Sequence, residues 1–376
     1  KKPVAVPGAE VVDASDEAVD SPRASDSPRV EGSEVRVRRR RAGTGKRGTL
    51  RRGGGDARGT QNTATGRERT RPHEIPVAAA RRRIVIVGAG PAGLEAARVA
   101  AERGHHVVVF EAQPDPGGQV RLAALNPRRR EMISIIDWRM AQCAARDVVF
   151  HFNTWAEVAD VTALNPDVVI VATGGLPNTE LYESGSDAAH VVTSWDIIAG
   201  DVKPAQHVLI YDESGDHAGL QAAEIAAAAG SKVEIMTPDR TFAPAVMAMN
   251  LVPYMRALQD KDVTFTVTRR LLGVARSGNK LTATIGTDYS DHSDARDYDQ
   301  VVVNYGTLPL DEVYFELKPL SSNGGAVDHD ALIAGTPQTI RRNAEGTFQL
   351  FRIGDAVSAR NTHAAIYDAL RLVKDI

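Results

Sequence analysis

The order of features in residues 84–111 constrains the fold of this chain more than any other part of the sequence. An apolar run typical of a short buried strand leads into the motif G-x-G-x-x-G. A helical stretch, a second apolar run and an acidic residue follow. The three glycines are Gly88, Gly90 and Gly93, and the acid is Glu111. A lone glycine motif is weak evidence, but this complete order predicts a βαβ unit of the Rossmann type.

Each part of this unit has a physical role in binding a dinucleotide. Gly88 permits the tight turn, Gly90 lets the backbone approach a pyrophosphate, and Gly93 lets the helix pack closely on the strand. The pyrophosphate would lie on the free N–H groups at the helix start. Glu111 would accept hydrogen bonds from a ribose hydroxyl. We therefore expect an adenine nucleotide, FAD or ADP, at this site, and the alternative is an ordinary helix N-terminus without a ligand.

Composition sets the first 60 residues apart from this unit. They carry 14 Lys/Arg and 9 Asp/Glu, although the whole chain has a net charge of −3. Leu50 is their only leucine, and they contain no Ile, Phe, Tyr, Trp, Met or Cys. A segment so poor in large apolar side chains cannot offset the conformational entropy that it would lose on folding. We therefore expect residues 1–75 to form a disordered, basic tail.

The basic run at residues 36–58 allows two interpretations. Its ten Lys/Arg could form a patch for nucleic acid or nuclear import. No aromatic residue is interleaved for base stacking, so we favour a solvated tail and do not expect nucleic acid as a partner. No run reaches the roughly 20 apolar residues of a membrane span. The single cysteine, Cys143, excludes an intrachain disulfide and an all-cysteine metal site within this chain. From these two observations together we expect a cytoplasmic protein with no membrane partner.

Strand and helix patterns alternate beyond the tail, which indicates α/β layers. Residues 207–236 repeat the strand–helix–strand layout of the first unit. We therefore expect two nested Rossmann-like (FAD/NAD(P)-binding) domains. Residues 76–202 and 341–376 would form the FAD- or ADP-binding domain, and residues 203–340 would form an inserted NAD(P)-binding-like domain.

The glycine motif of the second unit is degenerate. It reads S-G-D-H-A-G, and only Gly219 lies in register with the first motif. Asp212, Glu213 and Asp216 place negative charge where a pyrophosphate would bind at the helix start. We therefore do not expect NAD(P)H to bind this domain. His217 could serve as a proton donor, but its position favours a residue that simply begins the helix.

Several motifs resemble one family of flavin-dependent oxidoreductases. They are residues 61–68, 87–97, 117–123, 172–174, 304–307 with 309–311, and 352–356. Residues 60–376 are similar to the C-terminal part of the family that includes trimethylamine dehydrogenase, 2,4-dienoyl-CoA reductase and N-methylproline (stachydrine-type) demethylases. The resemblance implies further nucleotide contacts beside the first glycine motif, namely Pro91, Ala92, Ala112, Gly118, Gln119, Arg121, Ala172, Thr173, Gly174, Gly354 and Asp355.

Some of these implied contacts have an ordinary structural alternative. An aspartate at position 355 would approach the ribityl or pyrophosphate part of FAD in the family, but Asp355 could also be a turn or helix-cap residue. Residues 117–119 would cover the cofactor, but they could also form a plain surface turn.

The chain departs from the family at the part that carries the substrate chemistry. Family members begin with a barrel that contains FMN, and a four-cysteine 4Fe–4S cluster follows it. The last cluster cysteine corresponds to Gly59, and nothing in residues 1–58 resembles a barrel. FMN and the cluster are therefore expected in full-length relatives but not supported by this chain. A shifted reading frame or a misjoined gene start before Gln61 would explain this junction.

The sequence predicts the nucleotide-binding, electron-transfer module of a flavin-dependent oxidoreductase that acts on N-methylated amines or similar compounds. An electron-transfer flavoprotein is a candidate partner. No catalytic acid, base or nucleophile stands out, and Cys143 has no second cysteine for a redox role. Three alternatives remain open: a free-standing FAD-dependent NAD(P)H reductase, a non-redox ADP-binding domain, and a basic-tailed nucleic-acid binder.

Overall fold

The structure, a computed structural model, describes residues 62–69, 71–180 and 191–376. Our expectations for residues 1–61, among them the basic run and the cysteine missing at Gly59, lie outside the described residues. Within the described ranges, no helix combines the length and the apolar character that a bilayer crossing requires.

A five-stranded parallel sheet forms around the first glycine motif. Its strands are β1 Arg83–Val87, β2 His106–Phe110, β3 Val149–His151, β4 Val168–Val171 and β15 Gln349–Arg352. They lie in the order β15-β4-β1-β2-β3, and every pairing is parallel. β1, β2 and β4 are near-continuous apolar runs, which are typical of parallel strands that are covered on both faces.

Helices cover both faces of this sheet, because successive side chains along a strand point to opposite faces. Ile84 and Ile86 pack into one layer, and Val85 and Val87 pack into the other. The first layer contains α1 Pro91–Glu102, α3 Ser134–Ala144 and α10 Thr362–Val373, and the second contains α4 Val158–Ala163 and α8 Glu312–Leu317. The connections contain α2 Gln119–Ala123, α9 His329–Ala334 and the 3₁₀ segments Pro127–Ile133, Lys318–Leu320 and Gly354–Ala356.

A second five-stranded parallel sheet forms around the degenerate motif. Its strands are β6 Val191–Thr193, β7 His207–Asp212, β8 Lys232–Met236, β9 Thr264–Thr266 and β13 Gln300–Asn304, in the order β6-β13-β7-β8-β9. One face packs on α5 Ser194–Ala199, α6 His217–Ala228 and α7 Ala248–Gln259. The other face packs on an antiparallel sheet of β10 Arg270–Ser277, β11 Lys280–Gly286 and β12 Asp294–Tyr298.

The expected α/β class with two Rossmann-like sheets is confirmed, but the structure places the crossings between the sheets elsewhere. We assigned residues 191–202 to the first domain, yet β6 pairs with β13 in the second sheet. Conversely, Leu317 and Leu332 pack in the core layers of the first sheet, although we assigned them to the inserted domain. The chain crosses instead at an antiparallel ribbon of β5 Gly175–Pro177 and β14 Thr307–Pro309. An apolar pattern predicts burial, but it does not reveal against which sheet a residue is buried.

The described residues of the expected tail are ordered, which corrects our boundary at residue 75. Ala64 is buried in the core of the first domain. The guanidinium of Arg71 is also buried, and it donates to the Asp375 carboxylate at 2.6 Å and to the Leu332 carbonyl oxygen. An ion pair between residues 304 positions apart therefore attaches the described part of residues 62–75 to the segment after α10.

Candidate functional site

The three glycines of the first motif meet different steric requirements. Gly88 has a φ of +102°, and a Cβ at this position would overlap with the carbonyl oxygen of Ala172. A Cβ on Gly93 would overlap with the carbonyl oxygen of Gly88. A Cβ on Gly90 would have no neighbouring atom within 4 Å. The packing of the protein therefore requires glycine at positions 88 and 93, whereas Gly90 borders open space through which a ligand can approach the backbone.

The helix that starts at this open space has an unsatisfied N-terminus. Gly90 is the N-cap of α1 and Pro91 is its first residue, and no described side chain caps the helix. The first turn also lacks an acidic residue. The N–H groups of the first turn have no partner within a helix, and they lie at the positive end of the helix dipole. This end of α1 is therefore suited to an anion such as a pyrophosphate.

Glu111 lies beside the motif, and the backbone fixes its carboxylate. Oε2 accepts a hydrogen bond from the Ala89 N–H at 2.7 Å, and Oε1 accepts one from the Gln113 N–H at 2.9 Å. A carboxylate has about four acceptor positions, so two are still available. The predicted ribose partner is therefore held in place with acceptor capacity left for hydroxyl groups.

The segment 117–119 lies directly beside the glycine motif. The Gly117 N–H donates to the Ala89 carbonyl oxygen at 2.9 Å. A Cβ built on Gly118 would lie 3.6 Å from the Gly90 Cα, so the backbone of the segment passes directly beside the motif. Both Gly117 and Gly118 have positive φ angles, which a turn this close to another backbone segment requires.

Asp355 joins the same site from the last part of the chain. Its Oδ2 accepts a hydrogen bond from Gln119 at 3.2 Å, and its Oδ1 accepts one from the Arg360 N–H at 3.2 Å. Burial raises the pKa of Asp355, although these two donors oppose the shift. Gly354 has a φ of +63°, and a Cβ on it would lie 3.0 Å from the Ala92 side chain. The turn therefore packs directly against the first turn of α1.

The residues that follow β4 also border the site. Ala172 donates its N–H to the Val87 carbonyl oxygen at 2.7 Å, so it follows the strand directly beside the motif. Thr173 donates its hydroxyl to the Leu310 carbonyl oxygen, and Gly174 accepts from the Leu310 N–H at 3.0 Å. These residues tie the site to the ribbon through which the chain passes between the sheets.

Two of the predicted contacts lie at the rim of the site. Arg121 is exposed, and its guanidinium pairs with Asp115 at 3.2 Å rather than with a residue of the motif. Ala112 is also exposed. The structure therefore brings together the predicted residues of the motif and of the segments after β2, β4 and β15, while these two residues border them.

The start of α6 in the second domain is occupied by the protein's own carboxylates. Asp216 is the N-cap and accepts a hydrogen bond from the Ala218 N–H at 2.8 Å. Asp212 accepts one from the Gly215 N–H at 3.0 Å. A Cβ on Gly219 would lie 2.5 Å from the Asp212 carboxyl carbon. The glycine that corresponds to Gly93 therefore makes room for a carboxylate, and two N–H groups at this helix start, those of Gly215 and Ala218, already have partners.

Asn304, which ends β13, holds these two acids together. Its Nδ2 donates to Asp212 Oδ1 at 2.8 Å and to Asp216 Oδ1 at 3.0 Å, and its Oδ1 accepts from the Ser194 hydroxyl at 3.1 Å. Burial, reinforced by the nearby charge of Asp216, raises the pKa of Asp212 to about 7. The sequence analysis did not assign this role to Asn304, although its position at the carboxyl end of a parallel strand was a usable signal.

The sequence analysis also singled out two other titratable residues, His217 and Cys143. His217 is the first residue of α6, and burial together with the charge of Arg129 lowers its pKa to about 4. Cys143 is buried in the core of the first domain, and burial raises its pKa to about 12. At neutral pH the histidine is neutral and the cysteine is a protonated thiol, so neither is poised as an acid or a nucleophile.

The chain is similar to known proteins over most of its length. The chain is 68% identical over 323 residues to a probable N-methylproline demethylase of Rhizobium meliloti (strain 1021), which covers 86% of this chain and 47% of that protein. It is 43% identical over 326 residues to the N,N-dimethylglycine/sarcosine dehydrogenase of Chromohalobacter salexigens, with 84% and 47% covered. The chain thus spans about half the length of these relatives. The resemblance noted from the sequence is confirmed.

Solved structures share the fold. Histamine dehydrogenase from Rhizobium sp. 4-9 aligns with a TM-score of 0.70 at 23% identity, over 84% of this chain and 47% of that one. Thioredoxin reductase of Lactococcus lactis aligns with a TM-score of 0.55 at 17% identity, over 78% and 97%. The sequence profile of the pyridine nucleotide-disulphide oxidoreductases matches residues 43–203 and 82–369. The chain therefore belongs to the pyridine nucleotide-disulphide oxidoreductase family.

Proposed function

We propose that this chain is the FAD-binding, electron-transfer module of a flavin-dependent oxidoreductase. The observation that carries the proposal is the open space at Gly90, which adjoins an uncapped helix start and the fixed carboxylate of Glu111. This combination is what an adenine dinucleotide requires: backbone donors for the pyrophosphate and acceptors for the ribose. In this proposal the first sheet with its helices is the FAD-binding domain, and the second sheet belongs to an inserted domain with a nucleotide-binding fold.

The residues present fit the group that we propose. The N–H groups at the start of α1 would hold the pyrophosphate, and Glu111 would hold the ribose of the adenosine half. Asp355, positioned by Gln119, would face the other half of the dinucleotide. FAD, when bound, would supply reversible electron transfer, and the protein would bind it, orient it and limit its contact with water.

The proposed substrate class comes from the relatives. One is a probable N-methylproline demethylase and another is a dimethylglycine/sarcosine dehydrogenase, so we propose N-methylated amines as substrates of the complete enzyme. Because this chain spans about half of those proteins, we assign FMN, the 4Fe–4S cluster and the substrate site to the remaining half. An electron-transfer flavoprotein is the partner that we propose for receiving electrons.

Identification of the bound nucleotide tests this proposal. The chain would be purified, denatured and separated from its ligand, and the released nucleotide would be identified by its absorbance spectrum and mass. Protein stripped of ligand would then be titrated with FAD and with ADP by calorimetry. We expect saturable binding of FAD at a 1:1 ratio. Failure to bind either nucleotide would contradict the proposal.

Two alternatives predict different results in the same experiment. A non-redox ADP-binding domain would bind ADP and release no flavin. A free-standing reductase would bind FAD and oxidise NADH or NADPH, with a dye as electron acceptor. The carboxylates of Asp212 and Asp216 at the start of α6 oppose the second alternative, because they bring negative charge to the place of the pyrophosphate of NAD(P)H and accept from the Gly215 and Ala218 N–H groups there. Efficient turnover at micromolar NAD(P)H would therefore favour the reductase over our proposal.

A further inference from the structure

The order of strands in the first sheet gives the direction in which a bound nucleotide extends. The glycine motif follows β1 and Glu111 follows β2, and the next strand in the sheet is β3. Neighbouring strands lie about 4.8 Å apart, so a step from the phosphate to the ribose takes the ligand from β1 to β2. The next group of an adenine nucleotide is the base. Continued in the same direction, the base comes to the carboxyl end of β3.

The segment that follows β3 is tied closely to the segment that contains Glu111. The Thr154 N–H donates to the Glu111 carbonyl oxygen at 2.9 Å, and the Asn153 N–H donates to the Gln113 carbonyl oxygen at 3.2 Å. Residue 156 is a buried alanine in the core of the first domain. Between these anchored positions stands Trp155, which is 61% exposed. The backbone that carries this large side chain is therefore fixed against the segment that contains Glu111.

This tryptophan differs from the other strongly exposed one in its surroundings. Trp138 is 50% exposed, and the guanidinium groups of Arg98 and Arg139 lie 5.5 Å from its ring. Among the described residues, no ring or guanidinium packs on Trp155 in this way. An indole that stands beside a proposed ligand site, with no such partner among the described residues, is suited to stacking on an aromatic ligand.

We propose that Trp155 stacks on the purine ring of the bound adenine nucleotide. This inference rests on the proposed function and adds the means by which the base is recognised. Stacking uses the π face of the base rather than its edge, so this contact favours a nucleotide over a ribose phosphate without reading the base edge. Trp155 is thus a binding residue for the adenine half of FAD.

Tryptophan fluorescence tests the contact directly. The nucleotide-free chain would be titrated with ADP, because ADP lacks the flavin that would itself absorb the emission. We expect saturable quenching in the parent protein and in Trp138→Phe, and loss of that quenching in Trp155→Phe. Calorimetry should show ADP affinity in Trp155→Phe within about threefold of the parent, because phenylalanine still stacks, and a loss of about tenfold in Trp155→Leu, equivalent to about 1.4 kcal/mol.

The outcomes separate this inference from the proposal on which it rests. If the parent binds ADP but Trp155→Leu binds it equally well, or if Trp155→Phe is still quenched, the stacking contact is wrong and the nucleotide site stands. If the parent binds neither ADP nor FAD, the nucleotide site itself is wrong and the contact falls with it. Thermal unfolding should give Trp155→Phe and Trp155→Leu the stability of the parent, because Trp155 is 61% exposed.

Discussion

Substitution of Gly90 by alanine separates the demands of folding from those of binding. Gly90 has φ −70° and ψ −178°, a conformation that any residue adopts, and a Cβ there meets no atom within 4 Å. Alanine is a poorer N-cap than glycine by up to about 1 kcal/mol. It also restricts the unfolded chain, which stabilises a compatible site by about 0.4–1 kcal/mol. The two effects oppose each other, so the free energy of unfolding should change by less than about 0.5 kcal/mol.

The same methyl group should strongly weaken nucleotide binding. It would stand in the open space through which a pyrophosphate reaches the N–H groups of α1. A hydrogen bond to a charged group contributes about 1.5–3 kcal/mol, so displacement of the phosphate from one or two such donors should cost about 3 kcal/mol. That corresponds to a loss of affinity of about 100-fold. Calorimetric titration with FAD and ADP measures this loss, and urea unfolding of the nucleotide-free protein measures stability.

Gly93→Ala is the matched control, because it adds the same methyl group three residues further along the helix. Its Cβ would overlap with the carbonyl oxygen of Gly88, so the strand and the helix must move apart. Overpacking of this kind typically costs about 1–3 kcal/mol of stability. We therefore expect Gly93→Ala to be destabilised and Gly90→Ala to be stable but deficient in binding. Parental affinity in Gly90→Ala would refute the assignment of the pyrophosphate to this position.

Three further predictions concern single side chains. Glu111→Ala should weaken FAD binding by about 1.5–3 kcal/mol in calorimetry, and unchanged affinity would indicate another ribose partner. The folded pKa of Asp212, about 7, lies above its ordinary value, so folding takes up a proton between about pH 4 and 7 and stability falls as the pH rises through that window. Asp212→Asn should remove this slope, on the order of 4 kcal/mol in urea unfolding between pH 4 and pH 8, and an unaltered slope would contradict the raised pKa. Arg71→Ala should reduce the free energy of unfolding, measured in urea, by about 1.5–3 kcal/mol relative to the exposed control Glu68→Ala. Equal stability of the two variants would contradict the anchoring of this segment by Arg71.

The geometry around the first glycine motif could be predicted from sequence because its determinants are local. The turn at Gly88, the helix start at Pro91 and the acid after β2 lie within about thirty residues of each other. Each follows from backbone conformation and apolar periodicity. The contributions of Gly354 and Asp355 came only through the family resemblance, because more than 200 residues separate them from the motif. Nothing local to positions 354 and 355 shows that their turn packs on Ala92.

The parts that the sequence analysis placed incorrectly depend on distant contacts. Residues 62–75 lack a strong apolar pattern, yet Arg71 fixes them through Asp375, which is 304 residues away. β6 has only three residues, and its membership of the second sheet depends on pairing with β13. Neither composition nor periodicity reports a single long-range ion pair or the choice of sheet for a short strand.

The two βαβ units differ at the start of their helices, which is open in the first unit and occupied by the protein's own carboxylates in the second. In the first unit, α1 begins without a side-chain cap, so its first N–H groups are open to water or to an anion. In the second, Asp216 caps α6 and Asp212 takes the space beside Gly219. Asp212 and Asp216, the acids that the sequence analysis judged unfavourable for a phosphate, therefore occupy the place where the phosphate would bind. A carboxylate supplied by the chain satisfies the start of α6 without a ligand, whereas the start of α1 keeps backbone donors that suit an anion.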